Sequence, residues 1–565
     1  MEMDFFSEGF SIEQQRGCAE MNMFCFQCQE TSEGRGCTAG GACGKSEDTA
    51  NFQDLLIFVL KGIGLLSEDI IQKSGTLDRT IGLFLCKALF TTITNTNFDS
   101  DRILLLIQEG LRIKRNLIKQ PLRTSIDGNP VALWDSTNVA EITRKSYQVG
   151  VLTTQDPDTR SLRELITYSL KGIGAYVYHA NILGFYNDDI VGFVIKALAS
   201  TTRELSLDSL LQLALDAGKT TIAAMELLDT ANEKIYGTKT PYRVSLEVGP
   251  NPGILISGHD LKDMDDLLRQ TARTGIDVYT HSEMIAAHYY PAFRKFPQLR
   301  ANYGNAWWNQ GNDFGSFNGP IIVTSNCIVP VTDSYKDRIF TTGTAAYPGV
   351  KHIYRDGHEN IDLSEVVRLA QNCRPPQSID KGDFLAGFGW KSLEHSLDSV
   401  IELISKGRIR RLIVMGGCDG RDPVRKYYTN VARMLPQDAV ILTAGCAKFR
   451  FMKLLMGDIA GIPRIIEAGQ CNDCYSLLKT ALTLKNRLEL RDINDLPISY
   501  NIAWYDQKAV AILLSLLSLG IRNIRIGPTL PAFFSQNVLA KLVGQFSLKS
   551  VTNAAEDVQS MMSGN

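Results

Sequence analysis

The sequence predicts a multidomain α plus α/β protein: an amino-terminal helical domain of two repeated bundles over residues 1–240, then two Rossmann-like α/β domains over 241–373 and 374–565. Three observations carry this reading. The string LKGIG occurs twice, ending at Gly64 and Gly174, inside segments whose apolar residues recur every three and four positions. After about residue 240 the texture changes to short β-branched runs, glycine turns and amphipathic stretches, as in NPGILISGHDLKDMDDLLRQTARTGIDVYTHSE. That is the rhythm of β-α-β units. The segment NCRPPQSID (372–380) interrupts it with two prolines before a second series begins.

The repeat continues beyond LKGIG. CKALFTTITNTNFDSDRILLLIQEG is echoed by IKALASTTRELSLDSLLQLALDAG, so that Lys87 and Lys196 stand 109 residues apart and Lys61 and Lys171 stand 110 apart. A duplicated helical unit keeps its register in this way, and Ser, Thr and Asp supply its helix starts. Lys61 and Lys171 read as solvated helix residues, Cys86 as a core thiol on an apolar helical face, and Cys373 in the proline seam as a spare thiol. AVAILLSLLSLG is too short to span a bilayer and reads as a buried helix.

With 565 residues, 44% of them hydrophobic, the chain can bury several cores. Its 59 basic and 61 acidic side chains are well mixed, so neither nucleic acid nor a membrane surface is an expected partner. Twelve cysteines are too dilute for a disulfide scaffold, no apolar signal segment is seen, and the acidic opening MEMDFFSEGFSIEQQRG is unlike a transit peptide. Cytoplasmic residence is the expectation.

Two groups of residues point to metal chemistry. Cys25, Cys28, Cys37 and Cys43 form the pattern C-x2-C-x8-C-x5-C in a glycine-rich loop, a set of four thiolates suited to zinc or to an iron–sulfur cluster. His259, Glu283, Cys327, Cys418, Cys446 and Cys471 each follow a strand-like run, and Asp506 follows a less regular one. Ligands of open α/β sheets gather beyond the carboxyl ends of parallel strands, so these scattered positions are expected to become one cluster. Four soft thiolates with an imidazole and two carboxylates suit iron carrying both sulfide and oxygen bridges, and reduction of a small N–O bond is natural chemistry there.

The strings MFCFQCQET, GILISGHDL, VYTHSEM, SNCIVP, GGCDGR, TAGCAKFRF and GQCNDC make the chain closely similar, over nearly its whole length, to the hybrid cluster (prismane) protein family, whose members are known as hydroxylamine reductases. The resemblance implies a [4Fe-4S] cubane on Cys25, Cys28, Cys37 and Cys43. It also implies a hybrid [4Fe-2S-2O] cluster on His259, Glu283, Cys327, Cys418, Cys446, Cys471 and Asp506, with Cys418 in the family's persulfide position. One departure stands out: the family's W-x-E-Q-K-A is here Trp504, Tyr505, Asp506, Gln507, Lys508, Ala509, which shortens the carboxylate's reach by about 1.5 Å. Cys474, in C-x2-C spacing with Cys471, reads as a bystander thiol.

The implied reaction is two-electron, two-proton reduction of hydroxylamine to ammonia and water. Nitric oxide reduction to nitrous oxide and S-nitrosylation of partner proteins are the alternatives, with carbon monoxide dehydrogenase-like chemistry a further one. Cys418 and Glu283 would stand at the reacting centre, with His281 and Lys508 as proton donors. No G-x-G-x-x-G fingerprint follows a strand, so a separate electron donor such as a reductase or ferredoxin is expected.

Overall fold

The computed structural model describes residues 22–76, 78–120, 128–355 and 360–565. The duplicated sequence folds as two copies of a three-helix unit. The first copy is α1 (Glu47–Ser74), α2 (Arg79–Thr91) and α3 (Ser100–Ile118). Two short helices, α4 (Pro130–Leu133) and α5 (Val139–Ser146), lead to the second copy, α6 (Pro157–Ile182), α7 (Asp188–Ser200) and α8 (Leu207–Tyr236). Each of these six long helices starts at a polar side chain that accepts a backbone N–H of the first turn: Ser46, Asp78, Asp99, Asp156, Asn187 and Ser206.

The copies interlock, with α1 packed on α7 and α2 on α6. The last glycine of each LKGIG makes this possible. A Cβ at Gly64 would lie 2.9 Å from Leu198 Cβ, and one at Gly174 would lie 2.8 Å from the Cys86 carbonyl oxygen. Cys86 is fully buried, as a core thiol should be. The two lysines correct the sequence expectation. Lys171 is only 4% exposed and donates to Gln27 Oε1 at 2.7 Å, while Lys61 is half-buried. Interlocking turns the motif face of each copy toward the other instead of toward solvent.

Past α8 come β1 (Tyr242–Ser245) and six parallel strands: β2 (Gly253–Ser257), β3 (Asp277–His281), β4 (Leu299–Asn302), β5 (Ile321–Val323), β6 (Ile339–Thr341) and β7 (Lys351–His352). Their order is β4-β3-β2-β5-β6-β7. β8 (Asp383–Ala386) returns to pair antiparallel with β1, Tyr242 opposite Ala386, a ribbon not foreseen from sequence. The second parallel sheet contains β9 (Arg411–Gly417) and β10 (Ala439–Thr443), and after the small hairpin β11 (Asp458–Ile459) and β12 (Ile462–Pro463) it adds four strands. These are β13 (Ile465–Glu467), β14 (Ile498–Ala503), β15 (Ile524–Gly527) and β16 (Lys549–Ser550), in the order β13-β10-β9-β14-β15-β16.

Both sheets reverse direction beside their first strand. From β2 the chain moves outward through β3 and β4, then returns to the other side of β2 as β5; β9 and β14 repeat the manoeuvre. Such a reversal opens a crevice beyond the carboxyl ends of the two strands that flank it. β2, β3, β5, β10 and β14 are buried along their whole length, as parallel strands covered on both faces must be.

The helix Gln507–Ser518 carries the apolar run read as buried, and it lies between α6 and α8. Gly172 meets it at Ala511, and a Cβ at Gly218 would lie 2.1 Å from the Leu514 carbonyl oxygen. The carboxyl-terminal sheet is thereby fixed to the duplicated helices. No helix among the described residues is long and apolar enough to cross a membrane.

Candidate metal centre

Every one of the seven sequence candidates lies one to four residues past a strand, and all seven are buried. His259 and Cys327 follow β2 and β5, the pair flanking the first reversal. Cys418 and Asp506 follow β9 and β14, the pair flanking the second. Glu283, Cys446 and Cys471 follow β3, β10 and β13 on the adjoining side of each sheet.

The structure brings these side chains together. Donor atoms of His259, Glu283 and Cys471 lie within 4.8 Å of one another, and Cys471 Sγ is 3.4 Å from His259 Nε2. Cys418 Sγ stands 3.6 Å from Asp506 Oδ1. Asn326 Nδ2 spans Cys327 Sγ at 3.5 Å and Asp506 Oδ2 at 3.1 Å. Cys446 Sγ lies 3.7 Å from the hydroxyl of Ser282, the neighbour of Glu283.

The electrostatics suit a resident cation. Burial pushes the thiols of Cys327, Cys418 and Cys446 well above their ordinary range, takes Cys471 up to about 12, and raises the Glu283 carboxyl. Burial also holds the His259 imidazole well below its usual value, in the neutral form that ligates metals. Glu283 makes no hydrogen bond of good geometry among the described residues, although its Oε1 forms an ion pair with Lys448. Groups buried in this way ionise only against strong positive charge. A metal group with a sulfur-rich and an oxygen-rich side fits the donor set.

Four supporting residues escaped sequence reasoning, although each is within two positions of a candidate ligand. Ser325 Oγ accepts from the His259 backbone N–H at 2.9 Å and contacts its Nδ1 at 3.2 Å; it also donates to the Asn326 carbonyl. That leaves Nε2 free to face the site, the arrangement usual for a metal-bound histidine. Gln470 Nε2 donates to the carbonyls of His259 and Glu283, tying the two sheets together. The fully buried Lys448 ammonium sits 3.2 Å from Glu283 Oε1 and 2.8 Å from Glu467 Oε1. Asn326 is the fourth.

The amino-terminal quartet also converges. Cys25 and Cys37 exchange backbone hydrogen bonds at 3.0 and 2.8 Å, and Cys37 Sγ accepts from the N–H groups of Ser32 and Ala42 at 3.4 Å each. Burial raises the Cys28 thiol well above its ordinary range, and Cys43, Cys25 and Cys37 add to the effect, so all four are electrostatic neighbours. A buried arginine, also missed from sequence, joins the two sites. Arg425 donates to Gln29 Oε1 at 2.6 Å, to the Trp504 carbonyl at 2.7 Å and to the Cys418 carbonyl at 3.4 Å.

The two candidate proton donors are placed differently. His281 is buried with both ring nitrogens engaged, Nδ1 with Ser257 Oγ at 3.0 Å and Nε2 with Asp313 Oδ2 at 3.2 Å. The buried Lys508 ammonium lies over the Phe90 ring at 5.6 Å and makes no hydrogen bond among the described residues. Burial works against its charge, but Cys471, Asp506, Cys327 and Cys418 raise it above the ordinary lysine value, so it faces the cluster of candidates. Cys474 lines an apolar cavity with Gly417 and Ala509, and Cys373 Sγ is 3.3 Å from the Leu369 carbonyl.

The profile described as "Prismane/CO dehydrogenase family" matches residues 23–559. The chain is 52% identical to a protein named hydroxylamine reductase from Desulfosudis oleivorans, covering 96% of this chain and 100% of that one. It is 50% identical to one of the same name from Thermoanaerobacter pseudethanolicus, covering 96% and 100%. Among solved structures, a Ni-free carbon monoxide dehydrogenase from Thermococcus sp. AM4 is similar in fold, with TM-score 0.54 at 17% identity over 98% of this chain and 92% of that one. Carbon monoxide dehydrogenase IV from Carboxydothermus hydrogenoformans gives 0.53 at 15% identity, over 94% and 89%. The chain belongs to the Prismane/CO dehydrogenase family.

Proposed function

We propose that this protein is an iron–sulfur oxidoreductase that reduces hydroxylamine: NH2OH, two protons and two electrons give NH3 and H2O. The reading rests on the convergence of His259, Glu283, Cys327, Cys418, Cys446, Cys471 and Asp506 at the two sheet reversals, in a chain about half identical to relatives named hydroxylamine reductase. These seven would hold a hybrid [4Fe-2S-2O] cluster, and Cys25, Cys28, Cys37 and Cys43 a [4Fe-4S] cubane. Bound there, the clusters supply stored electrons and Lewis acidity.

The chain's own residues do the rest. The site is buried, so charges within it act at lower dielectric than in water. Ser325 orients His259, Lys448 balances the Glu283 carboxylate, and Asn326 positions Cys327 against Asp506. Lys508 is the proton donor, because its ammonium faces the site without a competing hydrogen-bond acceptor. His281 orients β2 against the Asp313 segment. A separate protein delivers electrons through the amino-terminal quartet.

Anaerobically purified protein with a reduced viologen dye should form one ammonia per hydroxylamine consumed. Lys508→Met should lower kcat about 10²-fold or more while leaving iron content unchanged. Nitric oxide converted to nitrous oxide without hydroxylamine turnover would reassign the substrate.

A further inference from the structure

The interlocked repeats line a cavity of about 350 Å³ that borders the amino-terminal quartet at Cys25 and contains none of the seven residues of the other centre. Its walls are built twice over. Asp54, Phe58 and Lys61 from α1 line it, and so do Glu164, Tyr168 and Lys171 from α6, each 110 residues later in the same repeat. Interlocking of the copies therefore places one acid, one aromatic ring and one lysine from each at the same cavity.

Charge in the cavity does not balance. Lys45, Lys61, Lys145, Arg163 and Lys171 supply five cations against two carboxylic acids. Some are already used: Lys171 bonds Gln27, Lys45 bonds Gln53, and Lys145 stacks on Phe58. The Lys61 ammonium, which lines the cavity, makes no hydrogen bond among the described residues, and Arg163, whose Nη atoms reach Thr154, the Arg203 carbonyl and Glu204, keeps its Nε buried without a partner. Burial depresses Lys61 below the ordinary lysine value, and burial with Glu164 lifts Asp54 to about 7. Even with Arg163 paired to Glu204, the lining holds four further cations against two acids. Pockets of this size hold small molecules.

We propose that this cavity is a binding site for a small anion bearing phosphate-type or carboxylate oxygens, held by Lys61 and Arg163 beside the amino-terminal cysteines. The site is independent of the hydroxylamine reading. Its test is calorimetric titration of the anaerobically purified full chain with inorganic phosphate and, separately, with succinate. One saturable site per chain for either probe is expected, and the two arms distinguish an inorganic oxyanion from an organic carboxylate. Lys61→Gln should weaken binding at least tenfold with iron content unchanged, and Lys61→Arg should restore it. Lys61 suits this test because no hydrogen bond is lost on substitution. Absence of saturable binding up to about 10 mM of both probes, a regime weaker than about −3 kcal/mol, overturns the proposal. Equal binding by Lys61→Gln overturns it too. A reduction potential shifted by Lys61→Gln with no anion bound would make the lysine a counter-charge to the iron–sulfur group instead.

Discussion

Asp506 has two roles that substitutions can separate. Its Oδ1 accepts the Lys508 backbone N–H at 2.9 Å and caps the helix Gln507–Ser518, while the same carboxylate meets Cys418 Sγ and Asn326 Nδ2 inside the candidate metal centre. Asp506→Asn keeps a side-chain oxygen at the right reach, so the cap survives and stability should change by less than about 1 kcal/mol. The negative charge is lost, and iron retention should fall. Asp506→Glu does the reverse. One more methylene, about 1.5 Å, carries the acceptor past the Lys508 N–H and costs about 0.5–2 kcal/mol of capping, but keeps a carboxylate in the site. The assay is iron per chain after chelator challenge, with urea unfolding of the stripped protein so that metal binding does not add to stability. Retention should rank Asp506→Glu near wild type and Asp506→Asn below both, with stability ranked the other way. Full iron in Asp506→Asn and loss in Asp506→Glu would reduce the residue to a helix cap.

Four further outcomes are expected. Ser325→Ala removes the hydrogen bond that orients His259 and should weaken metal retention about 10- to 100-fold in a competing-chelator titration. Lys448→Met leaves Glu283 and Glu467 buried without their cation and should cost about 3–5 kcal/mol, read as a lowered urea midpoint. Gly218→Ala drives a Cβ into the Leu514 carbonyl and should lower both thermal stability, by about 1–3 kcal/mol, and iron content, because it displaces the helix that Asp506 caps. Burial holds the His179 imidazole at about 4, although Asp260 pulls upward. Unfolded chains take up that proton near 6.5, so stability is present above 6.5 and is lost as pH falls toward 4. Tm should therefore drop more between pH 7 and pH 5 in wild type than in His179→Gln; parallel curves would contradict this.

Much of the architecture was legible because its signals are local and periodic. The two LKGIG strings mark one helical unit used twice, and the β-branched runs before His259, Glu283 and Cys446 mark the strands that present them. What stayed hidden depends on how elements meet. Lys171 carries no mark in its helix of facing a second copy instead of water, since the interlock of α2 with α6 is a tertiary fact. Arg425, lying between Gln29 and Cys418, belongs to no recognisable motif for the same reason. Ser325, Asn326, Lys448 and Gln470 lie within two positions of candidate ligands, yet sequence offers no way to tell an orienting neighbour from a filler. His281 shows the converse. Its closeness to Glu283 suggested proton donation, while strand alternation sends its ring to Ser257 and Asp313.

In the proposed function, residues from both sheets hold one iron group separate from the amino-terminal quartet, and hydroxylamine is reduced there. Iron content of the anaerobically purified chain and of Cys446→Ser, with hydroxylamine turnover on the same samples, tests it most directly. About eight irons per wild-type chain are expected, and about four in Cys446→Ser, with turnover abolished and the signal of the amino-terminal cluster intact. About four irons in the wild type, or undiminished iron and turnover in Cys446→Ser, would contradict it.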